Sequence, residues 1–193
     1  MLSLKESLKI LKETNALLEG HFILSSGLHS PQYVQCAQLM SKPNKAKKFC
    51  VSLSEKINKE FKDFDLILSP AMGGILVGYE IGSILKKETI FSERVNGKFE
   101  LRRDFLISKN QKVLIVEDVI TTGKSSLECS KLVNFLGGTI VGYACLIDRS
   151  NGNSSIKEKI VSQVQLNIPT YTKEDLPKNL SVIKPVKPGS RNL

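Results

Sequence analysis

The chain has 193 residues, of which 41% are hydrophobic and 24% are charged, and it carries a formal net charge of +9. This length suits one domain with its own hydrophobic core, and the composition excludes disordered and fibrous classes. No apolar run is long enough to span a bilayer, and the charged N-terminal segment lacks the apolar core of a signal peptide. We therefore expect a cytoplasmic protein with no membrane contact.

The net positive charge raises nucleic acid as a partner, but the lysines are spread over amphipathic segments and no recognition motif accompanies them. A phosphate-rich small molecule would explain a basic surface equally well, so nucleic acid is not the expected partner. The four cysteines form no CxxC pair and no metal-ligand spacing with either histidine. Cys129 and Cys145 fall in a predicted helix and a predicted strand, where a reduced cysteine acts as a small hydrophobic residue.

The N-terminal half alternates helical and extended patterns. The predicted elements are, in chain order, a helix over 1–19, a broken β segment over 21–36, a helix over 43–60, a strand over 65–69 and a helix over 75–87. Gly20 is expected to end the first helix. The Pro-Ala-Met-Gly-Gly run at 70–74 predicts a tight loop.

The C-terminal half continues the alternation. Its predicted elements are strands over 89–95, 99–103 and 113–116, a helix over 127–136, a strand over 139–148 and an edge strand over 160–168. Asn96-Gly97 is a strong signal for a hairpin turn, and Gly137-Gly138 predicts the C-cap of the helix. The proline-containing tail from Leu176 is expected to pack as irregular chain.

Buried strands that alternate with helices indicate an α/β fold, with a mostly parallel central sheet and helices on both faces. Ligands of such sheets collect where the carboxyl ends of the strands meet. The loops at 69–74, 117–125 and 148–152 lie at this edge and carry glycines, hydroxyls, acids and Arg149. We expect the functional site there.

The segment VLIVEDVITTGKSS, residues 113–126, ends in a Gly-Lys-Ser that invites comparison with an ATPase phosphate loop. That loop requires a glycine five positions before Gly123, and this position is Asp118. A carboxylate there would repel the phosphates, so the ATPase interpretation is excluded. What remains is a buried strand, two acids and a turn at a helix N-terminus, where free N–H groups can hold a phosphate.

The same segment carries a resemblance. A strand, Glu117-Asp118, two further residues and Thr-Thr-Gly together resemble the phosphoribosyl-diphosphate signature of type I phosphoribosyltransferases. The runs HFILSSGLHSP from His21, SPAMGG from Ser69 and the Asp148-Arg149 pair are similar to the N-terminal segment, diphosphate loop and base-contacting strand end of orotate phosphoribosyltransferases. The resemblance covers about residues 15–150.

The resemblance implies one type I phosphoribosyltransferase-like domain over 1–193, with a small N-terminal hood at about 1–40, a core at about 41–150, an edge strand and tail at about 151–193, and a β-hairpin lid. It implies transfer of the 5-phosphoribosyl group from phosphoribosyl diphosphate to orotate, which gives orotidine 5′-phosphate and diphosphate in pyrimidine biosynthesis. It also implies Mg²⁺ and a homodimer. Because Mg²⁺ favours phosphate and hydroxyl oxygens and keeps several waters, no direct protein ligand is expected.

The resemblance further implies roles for individual residues. The catalytic residues would be Asp118, Glu117, Arg94 and Lys98, the last two acting from the lid across the homodimer. The residues that bind phosphoribosyl diphosphate would be Glu117, Asp118, Val119, Ile120, Thr121, Thr122, Gly123, Lys124, Ser125, Ala71, Met72 and Gly73. The residues that bind orotate would be Thr121, Arg149, Ser26 and Tyr33. A cis peptide is expected at Ala71–Met72.

The chain departs from the family pattern at several positions. Ser25 and Gly73 stand where the best-known members have lysines, and Val95 and Glu100 replace a lysine and a histidine of the lid, near an Arg102-Arg103 pair. Two alternatives therefore stay open. One is a phosphoribosyltransferase for another base, including purines. The other is a regulatory protein of the same fold that binds the ligand and then nucleic acid, although no appended DNA-binding helices are visible.

Overall fold

The computed structural model describes residues 1–24 and 26–188; Ser25 and residues 189–193 of the tail lie outside the described residues. Its elements are α1 (Leu4–Glu13), β1 (Leu17–Ile23), β2 (His29–Val34), α2 (Cys36–Met40), α3 (Pro43–Glu60), β3 (Leu66–Pro70), α4 (Gly73–Leu85), β4 (Glu88–Val95), β5 (Lys98–Leu101), β6 (Lys112–Ile120), α5 (Lys124–Phe135), β7 (Thr139–Asp148), β8 (Ile160–Gln165) and α6 (Lys178–Ser181).

A six-stranded sheet in the order β5-β4-β3-β6-β7-β8 forms the centre of the molecule. Every strand pair is parallel except β4 with β5, which form an antiparallel hairpin at one edge. Apolar residues of α3 and α4 pack on one face, and those of α5 pack on the other. The central strands are buried on both sides because helices cover both faces, as their continuous apolar sequences predict. The predicted α/β fold class and the edge position of β8 are confirmed.

Within the predicted hood, β1 and β2 form a two-stranded antiparallel sheet, which corrects the prediction of a helix over 1–19. The first helix ends at Glu13, where the Thr14 hydroxyl donates to the carbonyl of Ile10 and Asn15 turns the chain with a φ of 55°. Gly20 does not end a helix; it lies inside β1, where the register with β2 shifts. Leu17 and its neighbours continue the helical pattern of α1, but they form a strand because the free energy gained by pairing with β2 outweighs that local preference.

The described part of the tail, residues 176–188, packs against the hood and is mostly irregular chain, as predicted, outside one short helical turn. It contains the short helix α6, and Val186 forms a bridge with Phe22 in β1. The ring of His21 donates through Nδ1 to the carbonyl of Ile183 at 2.7 Å. These contacts use the free edge of β1, and they could not be read from the tail sequence because their partners lie about 160 residues away.

Several boundaries differ from the sequence prediction at the sheet edge that faces the loops. Strand β6 continues through Glu117 and Asp118 to Ile120. Its C-terminal residues stay paired with β7, and the last pair joins Ile120 to Asp148. Helices α4 and α5 begin two and three residues earlier than predicted, and α2 was not predicted at all. The hairpin turn at Asn96-Gly97 is confirmed, and both of its residues have positive φ. The C-cap of α5 is Leu136, one residue before the predicted glycines, and Gly137 follows it with a φ of 88°.

Two properties of the described residues bear on the chemistry. All four cysteines are buried and free, as expected of reduced cysteines that act as small hydrophobic residues. No helix within residues 1–24 and 26–188 combines the length and the apolar content needed to cross a bilayer.

Candidate active site

Two acids occupy the carboxyl end of the central strand β6. Val113–Val116 of this strand are fully buried between the two helical layers, so the strand delivers Glu117 and Asp118 to the loop edge on a rigid support. Glu117 is buried, whereas Asp118 is partly exposed and accepts the backbone N–H of Val119 at 2.9 Å. Both acids therefore lie where a ligand entering from the loop edge would meet them.

Burial holds a proton at this pair. Removal from solvent, and after it the charge of Asp118, raises the pKa of Glu117 to about 8. Burial also raises the pKa of Asp118, although the hydrogen bond from Val119 opposes the change. At neutral pH the pair thus carries less negative charge than two carboxylates would give, and a cation or a hydroxyl donor beside it would favour the ionised forms.

The loop after β6 turns into the N-terminus of α5. Thr121 and Thr122 are exposed, and Gly123 is the N-cap in a left-handed conformation with a φ of 78°. Lys124 and Ser125 form the first turn of α5, whose leading N–H groups have no intrahelical acceptor. The N–H of Lys124 donates to the Thr122 hydroxyl at a long 3.4 Å. Because the glycine N-cap has no side chain to satisfy the N–H groups that follow, they are available to an anion, which favours a phosphate here.

The predicted diphosphate loop lies directly beside Asp118. The Ala71–Met72 peptide is cis, as expected, and the N–H of Ala71 donates to the carbonyl of Ser92 at 2.8 Å. A Cβ atom added to Gly73 would lie 2.5 Å from Oδ2 of Asp118. Position 73 therefore has no room for the lysine of the best-known family members while Asp118 keeps this position.

Arg149 and Tyr33 are brought together from two distant parts of the chain. Nε of Arg149 is buried and finds no hydrogen-bond partner among the described residues. Burial lowers the pKa of this guanidinium, and the neighbouring Tyr33 of the hood opposes the change. A buried guanidinium donor without an acceptor costs free energy, which a ligand carboxylate or carbonyl would recover.

Contacts within the same chain fix the lid hairpin, which consists of β4 and β5. Arg94 donates to Oε2 of Glu128 in α5 and to the carbonyl of Gly97, both at 2.5 Å, and its guanidinium lies 4.2 Å from the ring centroid of Phe99. Lys98 is exposed at the start of β5. The structure thus places Arg94 against α5 rather than beside Asp118, and its predicted catalytic role stays a prediction.

Ser26 lies in the exposed turn between β1 and β2, where its hydroxyl accepts the N–H of Leu28 at 3.4 Å, and its role in base binding stays a prediction.

Among the described residues, no group of three or more His, Cys, Asp or Glu side chains could hold a metal ion. The carboxylates at the end of β6 suit an ion that is held mainly by ligand oxygens and water.

Ile156 and Ser155 were not identified from the sequence, although both contact the loop after β6. The N–H of Ser155 donates to the carbonyl of Thr122 at 3.1 Å, and Ile156 packs against Gly123. No motif marks these residues, since an isoleucine in a polar loop carries no chemical signal. Only the path of the chain after β7 reveals them.

Comparison with known proteins identifies the family. Residues 38–174 match the phosphoribosyl transferase domain. Over 189 residues the chain is 45% identical to the orotate phosphoribosyltransferase of Parvibaculum lavamentivorans, which covers 96% of this chain and 97% of that one. The chain belongs to the orotate phosphoribosyltransferase family. Another orotate phosphoribosyltransferase, from Erythrobacter litoralis, is 43% identical over 188 residues and covers 97% of both chains.

Solved structures place the chain in the same family fold. The orotate phosphoribosyltransferase of Aeropyrum pernix superposes with a TM-score of 0.72 at 25% identity, covering 82% of this chain and 92% of that one. An adenine phosphoribosyltransferase of Thermoanaerobacter pseudethanolicus superposes with a TM-score of 0.59 at 18% identity, covering 70% and 88% of the two chains. The second likeness shows the fold alone. The type I phosphoribosyltransferase fold of this orotate phosphoribosyltransferase family member is therefore confirmed.

Proposed function

We propose that the protein transfers the 5-phosphoribosyl group of phosphoribosyl diphosphate to orotate, giving orotidine 5′-phosphate and diphosphate in pyrimidine biosynthesis. The observation that carries the proposal is that three elements meet at one sheet edge: the Glu117-Asp118 pair, the N-terminus of α5 and the cis-peptide loop before Gly73. They offer contacts for a ribose, a monophosphate and a diphosphate, respectively. Membership of the family over nearly the full length supports the same reaction.

The residues suit a reaction that proceeds by positioning and electrostatics. Breaking the bond between C1 of the ribose and diphosphate leaves positive charge on the sugar ring. The carboxyl groups of Glu117 and Asp118 accept hydrogen bonds from the ribose hydroxyls and stabilise that charge, more strongly because the site is partly buried. The backbone N–H groups of Met72 and Gly73 receive the leaving diphosphate, and those of α5 hold the 5′-phosphate in place.

Mg²⁺ fits this site as an ion bound chiefly through the donor. When present, it would neutralise the negative charge of the diphosphate. Asp118 lies close enough to the diphosphate loop, at Gly73, to accept hydrogen bonds from waters on such an ion. Direct coordination by the protein is not part of the proposal.

Arg149 supports orotate as the acceptor. Orotate carries a carboxylate and two ring carbonyls, and a guanidinium can donate two parallel hydrogen bonds to such a group. The unsatisfied Nε of Arg149 and the nearby Tyr33 provide these donors between the hood and the end of β7. Thr121 and Ser26 complete the proposed base contacts. Purine bases lack the carboxylate that would compensate the buried charge of Arg149.

An exposed face of α4 supports a homodimer. The N-cap Met72, with Leu76 and Tyr79 of the helix, lies along one side, and these residues are 84%, 57% and 69% exposed. We place the contact with a second copy of the chain on this face, which begins at the diphosphate loop. Arg94 and Lys98 would then act in the neighbouring subunit, and Arg94 would have to release Glu128 to do so.

The proposal is tested by incubating the protein with phosphoribosyl diphosphate, Mg²⁺ and one base at a time: orotate, uracil, adenine, hypoxanthine or xanthine. We expect diphosphate and a nucleotide product with orotate alone. A product with a purine would assign the other-base alternative. Donor binding without diphosphate release from any base would instead assign the regulatory alternative.

A further inference from the structure

The chain after β7 passes along the loop that follows β6. Backbone hydrogen bonds join the two at both ends: the N–H of Arg149 donates to the carbonyl of Ile120 at 2.8 Å, and that of Ser155 donates to the carbonyl of Thr122 at 3.1 Å. We call residues 149–156 the brace. It is ordered by its own contacts as well, since Oδ1 of Asp148 accepts the N–H of Ser150 at 2.8 Å.

The brace ends with a side chain pressed against the proposed phosphate loop. A Cβ atom added to Gly123 would lie 2.8 Å from Cγ1 and 2.9 Å from Cδ1 of Ile156. Ile156 is only 8% exposed and belongs to the hydrophobic cluster beneath α5. The backbone of Gly123 is therefore confined by a side chain that is itself fixed in the core.

We propose that Ile156 and Ser155 are positioning residues that hold the loop at 121–125 in the conformation that receives the 5′-phosphate. This inference rests on the proposed function, which assigns the loop to that phosphate. A loop of threonines and a glycine would otherwise be free to move, and ordering it on binding would reduce affinity. Donors that are already in place stabilise the bound anion without that cost.

The brace also relates the two ends of the nucleotide. It starts at Arg149, the proposed base contact, and ends at Ile156 beside the phosphate loop. A nucleotide product must reach both positions at once, so the brace fixes the distance between them. Diphosphate needs only the loop at 70–73, which the brace does not contact in any of these hydrogen bonds.

A matched pair of isoleucines allows a sharp test. Ile107 belongs to the same hydrophobic cluster, is 9% exposed and packs its Cγ2 against Gly138 at the opposite end of α5, where a Cβ would lie 2.7 Å away. Ile156→Ala and Ile107→Ala should lose similar thermal stability. Ile156→Val keeps Cγ1 but removes Cδ1, the other atom nearest to Gly123, and serves as the milder variant.

Binding of ribose 5-phosphate and of diphosphate is measured by calorimetry for each full-length variant, with steady-state kinetics alongside. We expect Ile156→Ala to weaken ribose 5-phosphate binding about tenfold and to raise KM for the donor more than it lowers kcat. Diphosphate binding should stay unchanged within error. Ile107→Ala should bind both ligands as the parent does, and Ile156→Val should weaken ribose 5-phosphate binding by a smaller factor than Ile156→Ala does.

Equal losses of ribose 5-phosphate affinity in Ile156→Ala and Ile107→Ala would overturn the brace, because general destabilisation would explain them. Unchanged affinity in Ile156→Ala would overturn it as well. If Ile156→Ala does not fold, Ile156→Val is compared with Ile107→Val, and no difference between those two overturns the inference. A parent protein that neither binds ribose 5-phosphate nor forms orotidine 5′-phosphate would overturn the proposed function, and the brace with it.

Discussion

At the scale of single residues, Asp118 is the side chain that joins the acid pair to the diphosphate loop. It ends the buried strand, lies over Gly73 of the diphosphate loop and shares its surroundings with Glu117. Asp118→Asn removes the charge beside the ribosyl cation and keeps the shape of the side chain. We expect kcat to fall by a factor of about 10² to 10³, as for the loss of one preorganised electrostatic group.

The same variant should fold normally, which circular dichroism and the thermal midpoint would check. Because Asp118 is partly exposed and accepts a hydrogen bond that an asparagine oxygen can also accept, little stability is at risk. Kinetics within about threefold of the parent would contradict the proposed role, since the expected loss is far larger.

The raised pKa of Glu117 predicts that the stability of the folded protein depends on pH. Its pKa is about 8 in the folded protein and 4.5 in an ordinary setting. As pH rises from about 4.5 to about 8, the unfolded chain ionises this group while the folded chain keeps it protonated, so the folded state loses stability. Compared with Glu117→Gln, which cannot ionise, the parent should lose a few kcal/mol of unfolding free energy across this window.

Chemical denaturation of both proteins at pH 5 and pH 8 measures this difference. The comparison cancels the contributions of other titrating groups that the two proteins share. Parallel pH dependence in the parent and Glu117→Gln would show that Glu117 ionises normally in the folded state, and the burial argument would then be wrong.

At the scale of elements, the close approach of α4 to β3 sets the position of the diphosphate loop between them. A Cβ atom added to Gly78 would lie 2.0 Å from Oγ and 3.0 Å from Cβ of Ser69. Gly78→Ala should therefore push α4 away from the sheet, with a stability loss of about 1–3 kcal/mol typical of overpacking. Because the N-terminus of α4 carries Gly73, KM for phosphoribosyl diphosphate should rise as well.

Ser83→Ala is the control for this prediction, since Ser83 is exposed on the same helix and should be neutral. The double variant Ser69→Ala, Gly78→Ala should recover part of the lost stability, because it removes the nearer of the two clashing atoms. Independent, additive effects of the two substitutions would contradict the proposed contact.

The hairpin of β4 and β5 shows which structural features local sequence can predict and which it cannot. Asn96-Gly97 predicted the turn, since both residues tolerate positive φ and the structure uses it at both. The direction of Arg94 was not predictable from the same residues. Its contact with Glu128 joins a strand to a helix 34 residues later, and only the packing of α5 on the sheet brings them together.

At the scale of the whole molecule, the proposed homodimer predicts sharing of active sites. Mixing Asp118→Asn chains with chains carrying Arg94→Ala and Lys98→Ala would give mixed dimers in which one site has two intact halves. We expect activity above that of either variant alone, because the lid cations of one subunit would cover the leaving diphosphate of the other.

Subunit exchange must be shown independently, for example by native mass spectrometry of the mixture. Exchange without any recovery of activity would place the hairpin in its own subunit or outside the site. The pairing of Arg94 with Glu128 in its own chain makes this outcome a genuine alternative, so the experiment decides between two defined geometries.

The sequence by itself determined the α/β class, the hairpin turn, the left-handed glycine that follows α5 and the strand that presents Glu117 and Asp118. These features depend on neighbouring residues: apolar runs, glycines that permit positive φ, and a motif contained in one segment. Tertiary structure alone decided that Leu17 begins a strand, that the tail closes over the hood, that Arg94 faces α5 and that Ile156 confines Gly123. Each of these depends on contact between segments far apart in the chain, whose free energy outweighs local preference and leaves no local pattern to read.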